Sequence, residues 1–126
     1  MSKKILIVED HPDVRRVLTL SLRHLDYEIL EANTGGSAIA LTLSEIPDLV
    51  LVDLSLPDVS GLEIAKVIKQ NPRTAEIPLV ALSGHSEPEI AAKALEAGMT
   101  AYLIKPIDTA RLVKVIEKLT QPSSSP

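Results

Sequence analysis

At 126 residues and 45% hydrophobic, with two tyrosines as its only aromatic residues, the chain has room for one domain whose core is Leu, Ile, Val and Ala. A formal net charge of −4 with no Lys/Arg run excludes the electrostatic footprint of a nucleic-acid binder. There is no cysteine, which excludes disulfides and thiolate metal sites and suits a cytoplasmic protein, and the first apolar run, ILIV, is too short for a signal-peptide core or a membrane span.

KILIVE reads as a strand that ends at Glu9 and Asp10. The helical segment after it puts Val14, Val17, Leu18, Leu22 and Leu25 on one face, and Pro12 suits its first turn. YEILEA is a second strand, followed by a helix with Ala38, Ile39, Thr42, Leu43 and Ile46 on one face. DLVLVD ends at Asp53. Ser60 and Glu63 have capping-box spacing ahead of a third helix carrying Ile64, Ala65 and Ile68. IPLVALS ends at Ser83, and Ser86 with Glu89 repeats that spacing before Ile90, Ala91, Ala94 and Leu95, a helix that Gly98 can stop. AYLIK ends at Lys105, and Asp108 suits the cap of a last helix with Leu112, Val115, Ile116 and Leu119 on its core face. Val113 lies off that face and reads as a solvated valine, with a dimer or partner contact as the other reading. The domain is expected over residues 1–120, with QPSSSP at 121–126 as a flexible tail or the start of a linker.

Five strand–helix repeats with apolar strands imply an α/β fold: a doubly wound, five-stranded parallel sheet covered on both faces by five helices, with right-handed crossovers. In such sheets ligands collect outside the carboxyl ends of the strands. Glu9, Asp10, Asp53, Ser83 and Lys105 all fall at those ends. Two carboxylates about 4 Å apart repel by roughly 4 kcal/mol at an effective dielectric near 20, and a third adds to this. Lys105 offsets part. The remainder favours a hard divalent cation, Mg²⁺ above all with Mn²⁺ as a substitute, because no imidazole or thiol belongs to the cluster. A carboxylate beside such an ion suits attack on phosphorus, which makes Asp53 the candidate nucleophile, with Ser83 and Lys105 placed to bind phosphoryl oxygens. His24 is expected to be exposed, and His11 and His85 near the rim do not have the pattern of a histidine metal site.

Taken together, Glu9-Asp10, Asp53, LPDVSG from Leu56, Ser83-Gly84, and Tyr102 three before Lys105-Pro106 resemble the receiver domain of two-component response regulators over roughly residues 3–120, of the single-domain, chemotaxis-regulator type. The resemblance implies the strand order 2-1-3-4-5 of flavodoxin-like sheets, which periodicity does not fix. It also implies phosphotransfer to Asp53 from a histidine kinase or a histidine phosphotransfer protein. Mg²⁺ would be held by Asp10, Asp53 and the backbone carbonyl of Ser55, with Glu9 direct or through water. A cis peptide before Pro106 is the family habit; the sequence leaves both isomers open. Ser83 and Tyr102 would act as the switch, and residues 86–97, 100–104 and 108–119 would carry an output surface for a downstream protein. Ser55 and His85 flank the place where the family tunes loss of the phosphoryl group.

Each residue alone has a plainer reading: strand-end acids as solvated or helix-capping groups, Lys105 as a surface charge, Tyr102 as half-buried packing. Their joint placement is what favours the site. Two other functions compete: an unphosphorylated receiver-like docking module, and a phosphatase of the haloacid dehalogenase type. The second needs an acid two positions after its nucleophile, where this chain has Ser55, and a cap for which there is little chain. No dinucleotide or Walker motif is present. Output is expected through binding another protein, unless the chain is a fragment of a longer one; the sequence leaves open monomer or weak dimer.

Overall fold

The computed structural model describes residues 3–56, 59–84 and 87–120. Strand and helix alternate throughout: β1 Lys4–Val8, α1 Pro12–Arg23, β2 Glu28–Ala32, α2 Gly35–Glu45, β3 Leu49–Asp53, α3 Gly61–Gln70, β4 Leu79–Ser83, α4 Pro88–Glu96, β5 Ala101–Ile104 and α5 Thr109–Thr120. All four strand pairings are parallel, in the order β2-β1-β3-β4-β5.

Strand alternation divides the core into two layers. Leu6, Val8, Val50, Val52 and Ala81 face Ala38, Ile64, Ala65 and Ile68 on one side. Ile5, Ile7, Leu49, Leu51, Val80 and Leu82 face Leu18, Leu22, Leu112 and Ile116 on the other. Expected punctuation recurs: Pro12 opens α1, the Ser60 hydroxyl accepts from Glu63 N, and Asp108 Oδ1 accepts from Ala110 N at 3.0 Å. Gly98, at φ 104°, ends α4, with its own N–H on Leu95 O and Met99 N–H on Ala94 O, the paired bonds of a left-handed helix stop.

Several sequence expectations are corrected. Only β1, β3 and β4 are covered on both faces; β2 and β5 are the sheet's edges and keep exposed residues. Val17 and Leu95 are exposed, at 62% and 60%, because α1 and α4 each turn only a narrow stripe toward the sheet. Leu25 and Ile46 also stay outside, since both lie beyond the last residue of their helices. Val113 is half-buried against the second core layer and not solvated. Helix α4 begins at Pro88 with Glu87 as its N-cap, so the spacing at Ser86 and Glu89 does not mark its start. Ser86, His85 and the tail at 121–126 lie outside the described residues.

Candidate functional site

Parallel register builds the site. Val8 pairs with Val52, so the residues that follow, Glu9 and Asp53, leave adjacent strands side by side. Lys105 follows β5, its N–H donating to the carbonyl of Ser83 at the end of β4 at 2.7 Å. Strand ends far apart in sequence thereby meet at one rim. Lys105 Nζ lies 2.9 Å from Glu9 Oε1 and 3.5 Å from Asp53 Oδ1. Ser55 N–H donates to Asp53 Oδ1 at 3.0 Å, and His11 N–H to Glu9 Oε2 at 3.2 Å. The Lys105–Pro106 peptide is cis.

Glu9, Asp10 and Asp53 each offer an oxygen within 4.8 Å of the others. Glu9 and Asp53 are buried, and Asp10 is the most accessible of the three. Burial pushes the Glu9 carboxyl above the usual glutamate range, and neighbouring Asp53 adds to the rise while Lys105 opposes it. For Lys105, burial pulls the ammonium down, but its bond to Glu9 and the charges of Asp53 and Glu9 outweigh that and leave it raised. Lys105 pairs with two of the three acids, Glu9 and Asp53. The donor set is entirely oxygen and carries surplus negative charge, which fits a hard divalent ion and gives a soft metal no preferred ligand.

Ser83 is fully buried where β4 reaches the rim. Tyr102, three residues before Lys105, is half-buried against the first core layer and lines a small cavity of about 180 Å³ with Ile104, Asp108 and Arg111. Gly84 is exposed, and a Cβ there would meet nothing within 4 Å, so packing does not demand glycine. His24 is exposed as expected.

Two contributions escaped the sequence reading: the close approach of Gly61, which entered there only as the last residue of LPDVSG, and the grip of Arg15. Gly61, the first residue of α3, sits so close beneath the site that a Cβ would lie 2.6 Å from Asp53 O and 2.9 Å from Leu54 Cα. The motif LPDVSG marked Gly61 without showing the backbone approach that excludes a side chain there. Arg15 donates from Nη1 to the Glu9 carbonyl at 2.8 Å and from Nε to Glu31 Oε1 at 3.1 Å. Nothing in the one-dimensional pattern pairs residue 15 with residue 31.

A parallel doubly wound sheet bearing a lysine-bridged acid cluster at its carboxyl rim defines the class of phosphoacceptor signalling domains. The chain belongs to the response regulator receiver domain family, whose model matches residues 5–117. It is 34% identical over 128 residues to the phosphate regulon transcriptional regulatory protein PhoB of Pseudomonas aeruginosa, covering 99% of this chain and 56% of PhoB. It is 31% identical to the polar-differentiation response regulator DivK of Brucella ovis, covering 93% of this chain and 95% of DivK. Its fold matches the receiver domain of the sensor histidine kinase PA1611 of Pseudomonas aeruginosa, solved with a magnesium ion in the active-site cleft, at a TM-score of 0.89 and 28% identity over 95% of this chain and 98% of that one. The chain spans about half the length of the first curated relatives it matches. The family is one of signalling proteins, not a classical enzyme family. No helix among the described residues is long and apolar enough to cross a membrane.

Proposed function

We propose that Asp53 is the phosphoacceptor of this receiver domain, taking a phosphoryl group from the phosphohistidine of a histidine kinase or phosphotransfer protein in the cytoplasm. The observation that carries the reading is the convergence of Lys105 on Glu9 and Asp53 within 3.5 Å. In the transfer, an Asp53 carboxylate oxygen forms the new O–P bond as the donor N–P bond breaks, and the imidazole nitrogen regains its electron pair and then a proton. Ser55 N–H and Lys105 hold Asp53 in place, and Lys105 then pairs with the phosphoryl oxygens. The buried Ser83 hydroxyl is the neutral donor to the same group.

Glu9, Asp10 and Asp53 would hold Mg²⁺, with Mn²⁺ as a substitute and the Ser55 carbonyl as a further donor; when bound, the ion supplies neutralisation of the charge that gathers on the phosphoryl oxygens. An apolar groove of about 560 Å³ lies beside Lys105, lined by Val14, Val17, Leu18 and Ile107. Phosphorylation adds nearly two charges and three acceptor oxygens beside Ser83. Output then runs through Tyr102 and segments 86–97, 100–104 and 108–119 to a downstream protein, and the domain takes part in its own dephosphorylation.

Incubation with acetyl phosphate and Mg²⁺, read by intact mass, gives one phosphoryl adduct that EDTA prevents and Asp53→Asn abolishes. No adduct on the wild-type protein makes it a docking module instead. Chemical-shift changes that avoid all three output segments would refute the switch.

A further inference from the structure

The acid loop has a support outside the phosphoryl site. Glu9 N–H bonds Ala32 O, the last rung between β1 and β2; beyond it the strands part, and the Glu9 carbonyl leaves the ladder. Arg15, in the second turn of α1, fills that place with Nη1 at 2.8 Å, while Nε is held by Glu31 at 3.1 Å. The Arg15 N–H also bonds the His11 carbonyl, and the His11 N–H bonds the Glu9 carboxylate. Residues 9–11 are therefore pinned from three directions. The carbonyl that Arg15 grips belongs to the peptide joining Glu9 to Asp10, so its orientation bears on both side chains, the buried Glu9 that meets Lys105 and the more exposed Asp10.

We infer that Arg15, braced by Glu31, is a positioning residue for the divalent-ion site: it touches no reacting atom and fixes the peptide from which two of the three carboxylates spring. The inference rests on the phosphoacceptor reading above. Its physical basis is the guanidinium's planar fork, which meets a carbonyl and a carboxylate at once; a lysine offers a point charge and keeps only one of the two contacts. Supports one shell removed from a metal typically change its affinity by about 10–100-fold.

The test is Mn²⁺ binding to the otherwise metal-free full chain, followed by electron paramagnetic resonance, with amide hydrogen exchange at His11 in the absence of metal. Arg15→Met is expected to weaken Mn²⁺ about tenfold and to speed His11 exchange by a similar factor, with little change in the metal-free melting curve. Arg15→Lys should restore part of both, and Glu31→Gln should lose less than Arg15→Met. Unchanged Mn²⁺ affinity in Arg15→Met, beside a wild type that binds, overturns the inference. A wild type that binds no Mn²⁺ refutes the metal reading instead; exchange at His11 then decides, a rate unaltered by Arg15→Met overturning the positioning role and a faster one sustaining it.

Discussion

The two ends of β1 carry the same inventory of charge and do different things with it. At the start of the strand, Lys4 faces Glu45 at 3.1 Å and Glu28 at 3.9 Å, while its backbone N–H donates to Asp48. Beyond the end of the strand, Lys105 faces Glu9 and Asp53, and Asp10 stands beside those two acids. One lysine and three acids stand at each end. The side chains of Glu45 and Glu28 are 41% and 58% exposed, so water screens them and the cluster is a surface ornament of little energetic weight. Those of Glu9 and Asp53 are 1% and 4% exposed, and there the surplus charge has no solvent to relieve it. Burial leaves an ordinary ion-pair set with surplus charge that a further cation would offset.

That contrast breaks first on metal. Mg²⁺ at about a hundredfold excess over its dissociation constant should stabilise the domain by about 2.7 kcal/mol in thermal melts, reversed by EDTA. Glu45→Gln should leave that gain intact, and Asp53→Asn should cut it sharply. Removing the central cation comes next. Lys105→Met should cost about 2 kcal/mol in the metal-free protein, below the full cost of orphaning a buried charge because the lysine side chain is 26% exposed, and chemical denaturation of Lys4→Met should show a far smaller loss. Backbone closeness follows the same geography: Gly61→Ala should cost about 2 kcal/mol by pressing on Asp53 and Leu54, while Gly84→Ala, facing open space, should be nearly silent in the same denaturation series.

Deleting one rim acid has the opposite sign. Asp53→Asn should raise metal-free stability by about 1 kcal/mol while abolishing the phosphoryl adduct, a pairing that a merely structural aspartate would not give. The smallest effect concerns a third lysine. Lys69 donates to the carbonyls of Ala75 and Ile77, and burial holds its ammonium below the ordinary lysine value of 10.5. The folded state therefore sheds that proton earlier than the unfolded chain. Stability attributable to Lys69 should rise as pH climbs through its folded value toward 10.5, a slope that Lys69→Met should remove in melts across alkaline pH.

Much of this was legible in advance for a definite reason. A strand with both faces covered must be apolar along its whole length, and a sheet-packed helix must show a stripe, so ILIV, LVLV and Ile64-Ala65-Ile68 declared their elements. The candidate site was legible because carboxylates directly behind such runs have few bland reasons to recur. Val17 and Leu95 misled because periodicity marks a face without saying how wide a strip of it the sheet will cover. Arg15 was missed, and Gly61 was marked only as the end of LPDVSG, because what each does is set by a distance to backbone atoms of another element.

By itself, the sequence determined the alternation of strands and helices, the two-sided core and the identity of the rim groups, since burial pattern and side-chain chemistry are local properties of a chain. Tertiary structure alone decided that Lys105 reaches both Glu9 and Asp53, that the Lys4 cluster stays wet, and that Arg15 grips the Glu9 carbonyl. Those outcomes depend on register and on exclusion of water, and both arise only when strands remote in sequence pair.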